Sequence, residues 1–210
     1  MKLVSFLEAF CYDETMTELP KNELPEFIAI TGFDGTGKGH LTQHLRDNYG
    51  FLTLGASDVI RSIKAERPHL QDLHLDEATR LLKEELGPTF ITDTAMAKFK
   101  AERESYSGLV LDGVRRLPEI VRVKELGGKV LHVNADSQER FKRLASRARD
   151  DAPQTVEGML ARDAVQLQSN PNDKNGLNMK AIEELADGTV LNRFDDNFHE
   201  DAISVLKSLK

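Results

Sequence analysis

Short apolar runs alternate along the chain with longer segments in which apolar residues recur every three to four positions. The short runs are almost continuously apolar, as in parallel strands that are buried on both faces. They cover residues 27–31, 51–54, 109–111, 129–133 and 189–192. This alternation predicts an α/β fold in which helical crossovers join five strands of a parallel sheet.

Helix signals fill the gaps between these strands. A helix that follows Lys38 should end at Gly50, and an amphipathic helix over residues 75–82 should end at Gly87. Asp136 and Glu139 have the spacing of a capping box for a later helix. No repeat or interdomain linker is evident, so we predict one domain over residues 27–210, preceded by an N-terminal extension, residues 1–26, to which we assign no role.

Charge and cysteine content narrow the classes of function. The chain has 28 basic and 35 acidic residues and a formal charge of -7, which argues against a general nucleic-acid or anionic-membrane surface. Cys11 is the only cysteine, and no Cys/His cluster has metal-ligand spacing, which argues against a disulfide framework or structural zinc. The apolar stretch at residues 1–10 is too short to span a bilayer. We expect a cytoplasmic monomer or homodimer that binds small molecules.

Four glycines, at positions 32, 35, 37 and 39, directly follow the first predicted strand, and Lys38 stands between the last two. The glycines let the backbone curl around a polyphosphate with its amides inward, and the next helix points its N-terminal dipole at the same anion. A glycine-rich turn with a solvated lysine is the alternative. We predict an ATP-binding loop with Lys38 as charge partner of the β- and γ-phosphates, formed by Gly32, Asp34, Gly35, Thr36, Gly37, Lys38, Gly39 and His40.

The residue after the lysine departs from the common pattern, because Gly39 stands where a magnesium-binding Ser or Thr is usual. The run Gly-x-x-Gly-x-Gly-Lys-Gly resembles the loop of adenylate kinases and related nucleoside monophosphate kinases, in which the metal is held mostly through water. The resemblance implies a P-loop NTPase three-layer fold. A threonine usually follows in that family; here it is His40, whose imidazole we interpret as a packing or hydrogen-bonding group.

Asp112 ends a predicted strand and is followed by Arg115 and Arg116, at the sheet edge where ligands of open α/β sheets bind. A carboxylate there suits magnesium-bound water, and an arginine can fork onto a phosphate; a structural ion pair is the alternative. The segment resembles the Asp-Gly-x-x-Arg region of monophosphate kinases. A closer resemblance, to the Asp-Gly-Ile/Val-Arg of their adenylate-kinase-related microbial branch, implies acceptor binding by Arg115. Adenylate kinases proper place the arginine one residue later, so Arg116 is a competitor. Ser57 and Arg61 resemble the family's acceptor-binding helix, within a helical insertion at about residues 57–105.

Arginines crowd into a ten-residue stretch after the fourth strand, and Arg143 and Arg147 lie four apart on one helical face. Arginines on a closing segment can neutralise a transferring phosphoryl group. The stretch resembles the lid of the same kinases, at about residues 147–156. This leaves the roles of Arg149 and Arg162 open, and we interpret Arg140 and Lys142 as solvated basic residues.

We therefore predict an ATP- and Mg²⁺-dependent nucleoside or deoxynucleoside monophosphate kinase in which Lys38, Arg115, Arg143 and Arg147 are catalytic. One alternative is transfer to a sugar hydroxyl, as in dephospho-coenzyme A kinases, with Asp34 as base. A second is a nucleotide-binding sensor that uses the N-terminal extension to engage a partner. The identity of the acceptor base stays open.

Overall fold

The computed structural model describes residues 23–146, 153–167 and 177–210. Within them, five parallel strands form one sheet in the order β2-β3-β1-β4-β5. The strands are β1 (Phe27–Thr31), β2 (Phe51–Gly55), β3 (Gly108–Asp112), β4 (Lys129–Ala135) and β5 (Gly188–Asn192). The five predicted strands and the α/β class are confirmed; four of the strands are slightly longer than predicted.

The described helices connect and cover these strands: α1 (Lys38–Tyr49), α2 (Ala56–Ala65), α3 (Leu75–Leu86), α4 (Phe90–Ala101), α5 (Leu117–Glu125), α6 (Ser137–Ser146), α7 (Val156–Leu167), α8 (Met179–Leu185) and α9 (Phe198–Ser208). Their ends follow the sequence signals. Gly50 ends α1 in a left-handed conformation, with φ of 67°. Asp136 Oδ1 accepts the N–H groups of Gln138 at 2.9 Å and Glu139 at 3.2 Å, which caps α6.

The sheet is buried on both faces. Phe27 and Ala29 of β1 pack in one apolar cluster, which includes residues of α2, α4 and α5. Ile28 and Ile30 alternate to the other face and pack with residues of α1 and α9. A three-layer arrangement therefore explains why the strand residues are apolar without alternation.

The folded domain includes residues that precede the first strand. Leu24, which the sequence analysis assigned to the N-terminal extension, is 1 % exposed and packs in the cluster beneath α1 and α9. The carbonyl of Glu26 accepts the N–H of Leu109 at 2.8 Å, which extends the β1–β3 pairing. The last residues of the predicted extension are thus part of the domain, and residues 1–22 lie outside the described part.

β1 lies at the centre of the sheet, between β3 and β4. After β1 the chain places β2 and β3 on one side of β1, and it later places β4 and β5 on the other side. This reversal leaves a crevice beyond the carboxyl ends of the strands, where open α/β sheets bind ligands. The segments after β1 and β3 meet in this crevice. Among the described helices, none has the length and apolarity that a membrane span requires.

Candidate active site

The loop between β1 and α1 is tightly curled, and its shape depends on two glycines. Gly32 has φ of 137°, and a Cβ there would lie 2.2 Å from the carbonyl oxygen of Val133. Gly37 has φ of 97°, and a Cβ there would lie 2.2 Å from Asn192 Nδ2. Side chains are excluded at both positions by backbone conformation and by space. The loop therefore has the compact form expected of a phosphate cradle.

Lys38 is 8 % exposed and curls back over the loop. Its Nζ donates to the carbonyl oxygens of Gly32, at 2.9 Å, and Phe33, at 2.7 Å. Burial and the nearby Arg115 charge lower the pKa of Lys38 to about 8, although neighbouring carboxylates oppose this shift. The ammonium is thus held against the backbone of the loop, and an anion in the loop would stabilise its protonated form.

Asn192, at the end of β5, forms a hydrogen bond that holds the loop in place. Its side chain is buried, and Nδ2 donates to the carbonyl of Thr36 at 2.9 Å. Its Oδ1 accepts the N–H of Phe194 at 2.7 Å. The strand end, the loop and the turn before α9 are therefore held together by one amide, which the sequence analysis did not single out.

A cleft of about 770 Å³ opens beside the loop at the carboxyl edge of the sheet. It brings together most of the residues that the sequence assigned to ATP, acceptor and metal. They are Asp34, Gly35, Gly37, Lys38, Gly39, Ser57, Arg61, Asp112, Arg115 and Arg116. The residues come from three separate chain segments, and only the fold makes them neighbours.

Arg115 extends across the cleft to the loop. It forms an ion pair with the Asp34 carboxylate, and its Nη1 donates to Asp34 Oδ2 at 3.3 Å and to Gln166 Oε1 of α7 at 3.1 Å. Burial raises the pKa of Asp34, but the Arg115 charge and hydrogen bond outweigh it and hold the pKa below its usual value. The loop carboxylate thus occupies the guanidinium that the sequence assigned to an acceptor phosphate.

Asp112 lies at the end of β3, close to Lys38. Burial raises the pKa of its carboxyl, although the charges of Lys38 and Arg115 lower it. Its Oδ1 is buried and has no hydrogen-bond partner. An unpaired carboxylate oxygen beside a phosphate loop fits Mg²⁺-bound water. Among the described residues, no group of three or more Asp, Glu, His or Cys is arranged to hold a metal ion.

Arg61 and Ser57 line the opposite wall of the cleft on α2. The Arg61 side chain is 61 % exposed, and its Nη1 donates to Asp58 Oδ1 at 2.9 Å, one turn before it. An exposed ion pair of this type contributes little to stability, so Arg61 can leave it at small cost. The helices between residues 56 and 105 form this wall, and their role in acceptor binding stays a prediction.

The structure contradicts the prediction that Arg140 is solvated. The residue is 5 % exposed and forms a bidentate ion pair with Asp163 of α7, at 2.7 and 3.1 Å. Its Nε also donates to the backbone carbonyl of Asp34 at 2.9 Å. Arg140 therefore ties α7 to the phosphate loop. Lys142 is exposed, as predicted, and pairs with Glu139.

Arg143 is absent from the cleft lining. Its guanidinium carbon lies 3.8 Å from the ring centroid of Phe194, in a cation–π contact above the turn before α9. A role over the reacting phosphates requires the guanidinium to leave that ring. The remaining site residues are outside the cleft or outside the described residues: His40 and Arg162 are exposed, and Arg147 and Arg149 lie outside the described residues.

The sequence analysis also missed a buried carboxylate in the cleft wall. Glu119 of α5 is 1 % exposed and accepts the N–H groups of Ile91, at 3.1 Å, and Thr92, at 2.9 Å. Burial raises its pKa, although these hydrogen bonds oppose the shift. Glu119 fixes the first turn of α4 against α5. No local pattern marks Glu119, because its partners are distant in sequence, whereas the position of Asn192 at the end of a predicted strand is a signal that could have found it.

Solved structures show the same fold. A protein of Thermus thermophilus, TT1252, superimposes with a TM-score of 0.58 at 20 % identity and covers 89 % of this chain and 99 % of its own. Shikimate kinase from Acinetobacter baumannii superimposes with a TM-score of 0.52 at 15 % identity, over 90 % of this chain and 94 % of its own. The five-stranded parallel sheet and the phosphate loop are those of the P-loop kinase fold.

The chain belongs to the AAA domain family, which matches residues 31–159, and to the UPF0200 proteins. The UPF0200 protein of Sulfurisphaera tokodaii is 32 % identical over 69 % of this chain and 79 % of its own length. The UPF0200 protein of Hyperthermus butylicus is 28 % identical over 87 % of this chain and 94 % of its own. The region that the family model matches, residues 31–159, includes the phosphate loop and the arginine segment after β3.

Proposed function

We propose that the protein is a nucleoside or deoxynucleoside monophosphate kinase that transfers the γ-phosphate of ATP to the phosphate of its acceptor. One observation carries the proposal: Arg115 and Arg116, and Arg61 opposite them, line the same cleft as Lys38 and the phosphate loop. Four cationic side chains, including Lys38, thus face one cleft. Two anionic groups meeting end to end, a triphosphate and an acceptor phosphate, suit that arrangement.

In this mechanism the loop amides and Lys38 bind the β- and γ-phosphates of ATP. Arg115 leaves Asp34 and binds the acceptor phosphate, while Arg61 holds it from α2. The acceptor oxygen then lies in line with the γ-phosphorus, and positioning provides most of the rate enhancement. A phosphate oxygen is already ionised near neutral pH, so these residues need not include a strong base.

Asp112 would hold Mg²⁺ through water, and the ion would supply charge neutralisation at the terminal phosphates. Arg143 and Arg147 remain candidates for closure over the transferring group, as the resemblance to monophosphate kinases implies. Charge spread over the phosphoryl oxygens is what additional guanidinium groups would stabilise. The exposed ion pair of Arg61 and the ring contact of Arg143 are interactions that each side chain can give up.

A second candidate is transfer to a hydroxyl, with Asp34 as general base, since Asp34 lines the cleft. Two proteins of similar fold carry names that indicate non-nucleotide acceptors, shikimate and a sugar. Fold at such low identity leaves the acceptor open. Against this candidate, Asp34 is ion-paired with Arg115 and its pKa is held below the usual value, which makes it a weak base at neutral pH.

The test is a coupled assay of ADP release, in which ribo- and deoxynucleoside monophosphates and dephospho-coenzyme A are offered separately with MgATP. The proposal expects turnover with at least one monophosphate and none with dephospho-coenzyme A. A thermal-shift panel of the same monophosphates with a non-hydrolysable ATP analogue should name the acceptor by selective stabilisation. Turnover that requires a hydroxyl acceptor, or slow ATP hydrolysis that no acceptor accelerates, would overturn it.

Lys38→Ala is the matched loss-of-function variant, and we expect it to lower turnover at least a hundredfold because a preorganised charge is lost. Lys142→Ala removes the same charge from an exposed residue on α6 and serves as its control. Equal activity of the two variants would contradict the role of Lys38. Circular dichroism and melting temperature confirm that both variants are folded.

A further inference from the structure

Two buried side-chain oxygens near the phosphate loop have no hydrogen-bond partner: Thr42 Oγ1 on α1 and Asp112 Oδ1 at the end of β3. Buried polar atoms are nearly always paired, because an unpaired one has lost its hydrogen bonds to water without replacement. Such a pair of orphans beside a ligand site indicates that their hydrogen bonds form in the ligand-bound state.

Helix geometry connects Thr42 with the anomaly in the loop. Thr42 follows Gly39 by three residues and so lies on the same face of α1, one turn further along. Gly39 lacks the hydroxyl that usually follows the loop lysine, and a Cβ built there meets no atom within 4 Å. The space for a hydroxyl is therefore present at position 39, and the next hydroxyl on that helix face belongs to Thr42.

Thr42 also lies beside the carboxyl group of Asp112. Its hydroxyl acts on Asp112 as a hydrogen-bond donor would and lowers the pKa of that carboxyl, against the dominant effect of burial. The two orphan oxygens thus belong to one niche between α1 and β3, even though neither makes a hydrogen bond of normal geometry. A small movement of either side chain would join them.

We propose that Thr42 is a positioning residue that orients the Asp112 carboxylate toward Mg²⁺-bound water and so replaces, from one helical turn away, the hydroxyl that Gly39 lacks. The inference rests on the proposed function in one respect, the binding of MgATP in the loop. Outer-shell partners that orient a metal-binding group are typically worth 10- to 100-fold in metal affinity. One carboxylate oxygen of Asp112 would accept a hydrogen bond from the Thr42 hydroxyl, and the other would accept one from the metal-bound water.

A purely structural role for Thr42 predicts a different outcome. Thr42→Val keeps the shape of the side chain and removes an unpaired hydroxyl, a change that is neutral or stabilising when no bond is lost. We therefore expect the melting temperature without ligands to stay the same or rise in this variant. Metal affinity should then fall while the melting temperature does not, a combination that no packing defect produces.

The experiment measures metal binding without turnover. Protein saturated with AMP-PNP is titrated with Mn²⁺ and followed by electron paramagnetic resonance, with Mg²⁺ competition to give the Mg²⁺ affinity. We expect Thr42→Val to weaken both affinities about 10- to 100-fold. Thr42→Ser should keep them within about threefold because the hydroxyl remains. The double variant Gly39→Ser with Thr42→Val should recover most of the loss, since the open space at residue 39 accepts a hydroxyl.

The control measurement is the affinity for AMP-PNP without metal, which the loop and Lys38 provide and which Thr42→Val should leave unchanged. Metal affinities of Thr42→Val within twofold of the wild type would overturn the inference and leave the proposed function standing. A lower melting temperature in Thr42→Val without ligands would assign Thr42 a structural role and also overturn it. Failure of the wild-type protein to bind AMP-PNP at all would overturn both proposals.

Discussion

The ion pair between Asp34 and Arg115 competes with any acceptor phosphate. Asp34→Asn keeps the size of the side chain and removes its charge. The Arg115 side chain is 23 % exposed and that of Asp34 53 % exposed, so the pair is only partly desolvated. We assign it about 1 kcal/mol, at the upper end for exposed ion pairs. Because 1.4 kcal/mol corresponds to a factor of ten, Asp34→Asn should tighten binding of a monophosphate acceptor about fivefold.

The assay is calorimetric titration of the acceptor into protein saturated with AMP-PNP, together with steady-state kcat and KM. Asp47→Asn makes the same charge change at an exposed ion pair on α1, outside the cleft, and should leave both unchanged. The gain from Asp34→Asn should vanish in an Arg115→Ala background, because no guanidinium remains to be released. This cycle isolates the interaction between the two residues.

The hydroxyl-acceptor mechanism predicts the opposite result. If Asp34 were the general base, Asp34→Asn would lower kcat about 10²- to 10⁴-fold. Such a loss, with the acceptor affinity unchanged, would refute the phosphate-acceptor assignment and the competitive role of Asp34 together. A fivefold gain that persists without Arg115 would refute only the competition.

Three further predictions concern the loop and its support. Arg140→Ala should lower the free energy of unfolding by about 3–5 kcal/mol, since it leaves Asp163 buried and unpaired, and Arg140→Met with Asp163→Leu should recover most of it; urea midpoints at constant m value measure both. Gly37→Ala should abolish nucleotide binding in thermal-shift assays because its Cβ would lie 2.2 Å from a buried amide, whereas Gly39→Ala, which meets no atom, should be tolerated. ATP affinity should be flat below pH 8 and fall above it by up to about tenfold per unit, because the pKa of Lys38 is about 8 in the free protein and rises beside phosphate. Calorimetry in two buffers of different ionisation enthalpy should detect proton uptake near pH 9, and its absence would contradict this coupling.

Local pattern determined much of this protein. Buried parallel strands must be apolar on both faces, so the five runs predicted the sheet without any knowledge of contacts. The glycine spacing and Lys38 predicted the phosphate loop for a similar reason, because the conformation of a short loop depends on the residues within it. Gly32 and Gly37 do have conformations and contacts that exclude other residues.

Only the tertiary structure decided what each charged side chain contacts. Arg140 reads as one of several basic residues on a helix, yet its partner Asp163 arrives from a helix 23 residues later and removes both from water. Arg115 and Asp34 are 81 residues apart and become an ion pair because β1 and β3 are neighbours. The sequence by itself thus determined the strands and the loop, since these follow from local conformation and burial. The packing of distant segments determined which charges meet, because burial and Coulomb interactions depend on distance in space.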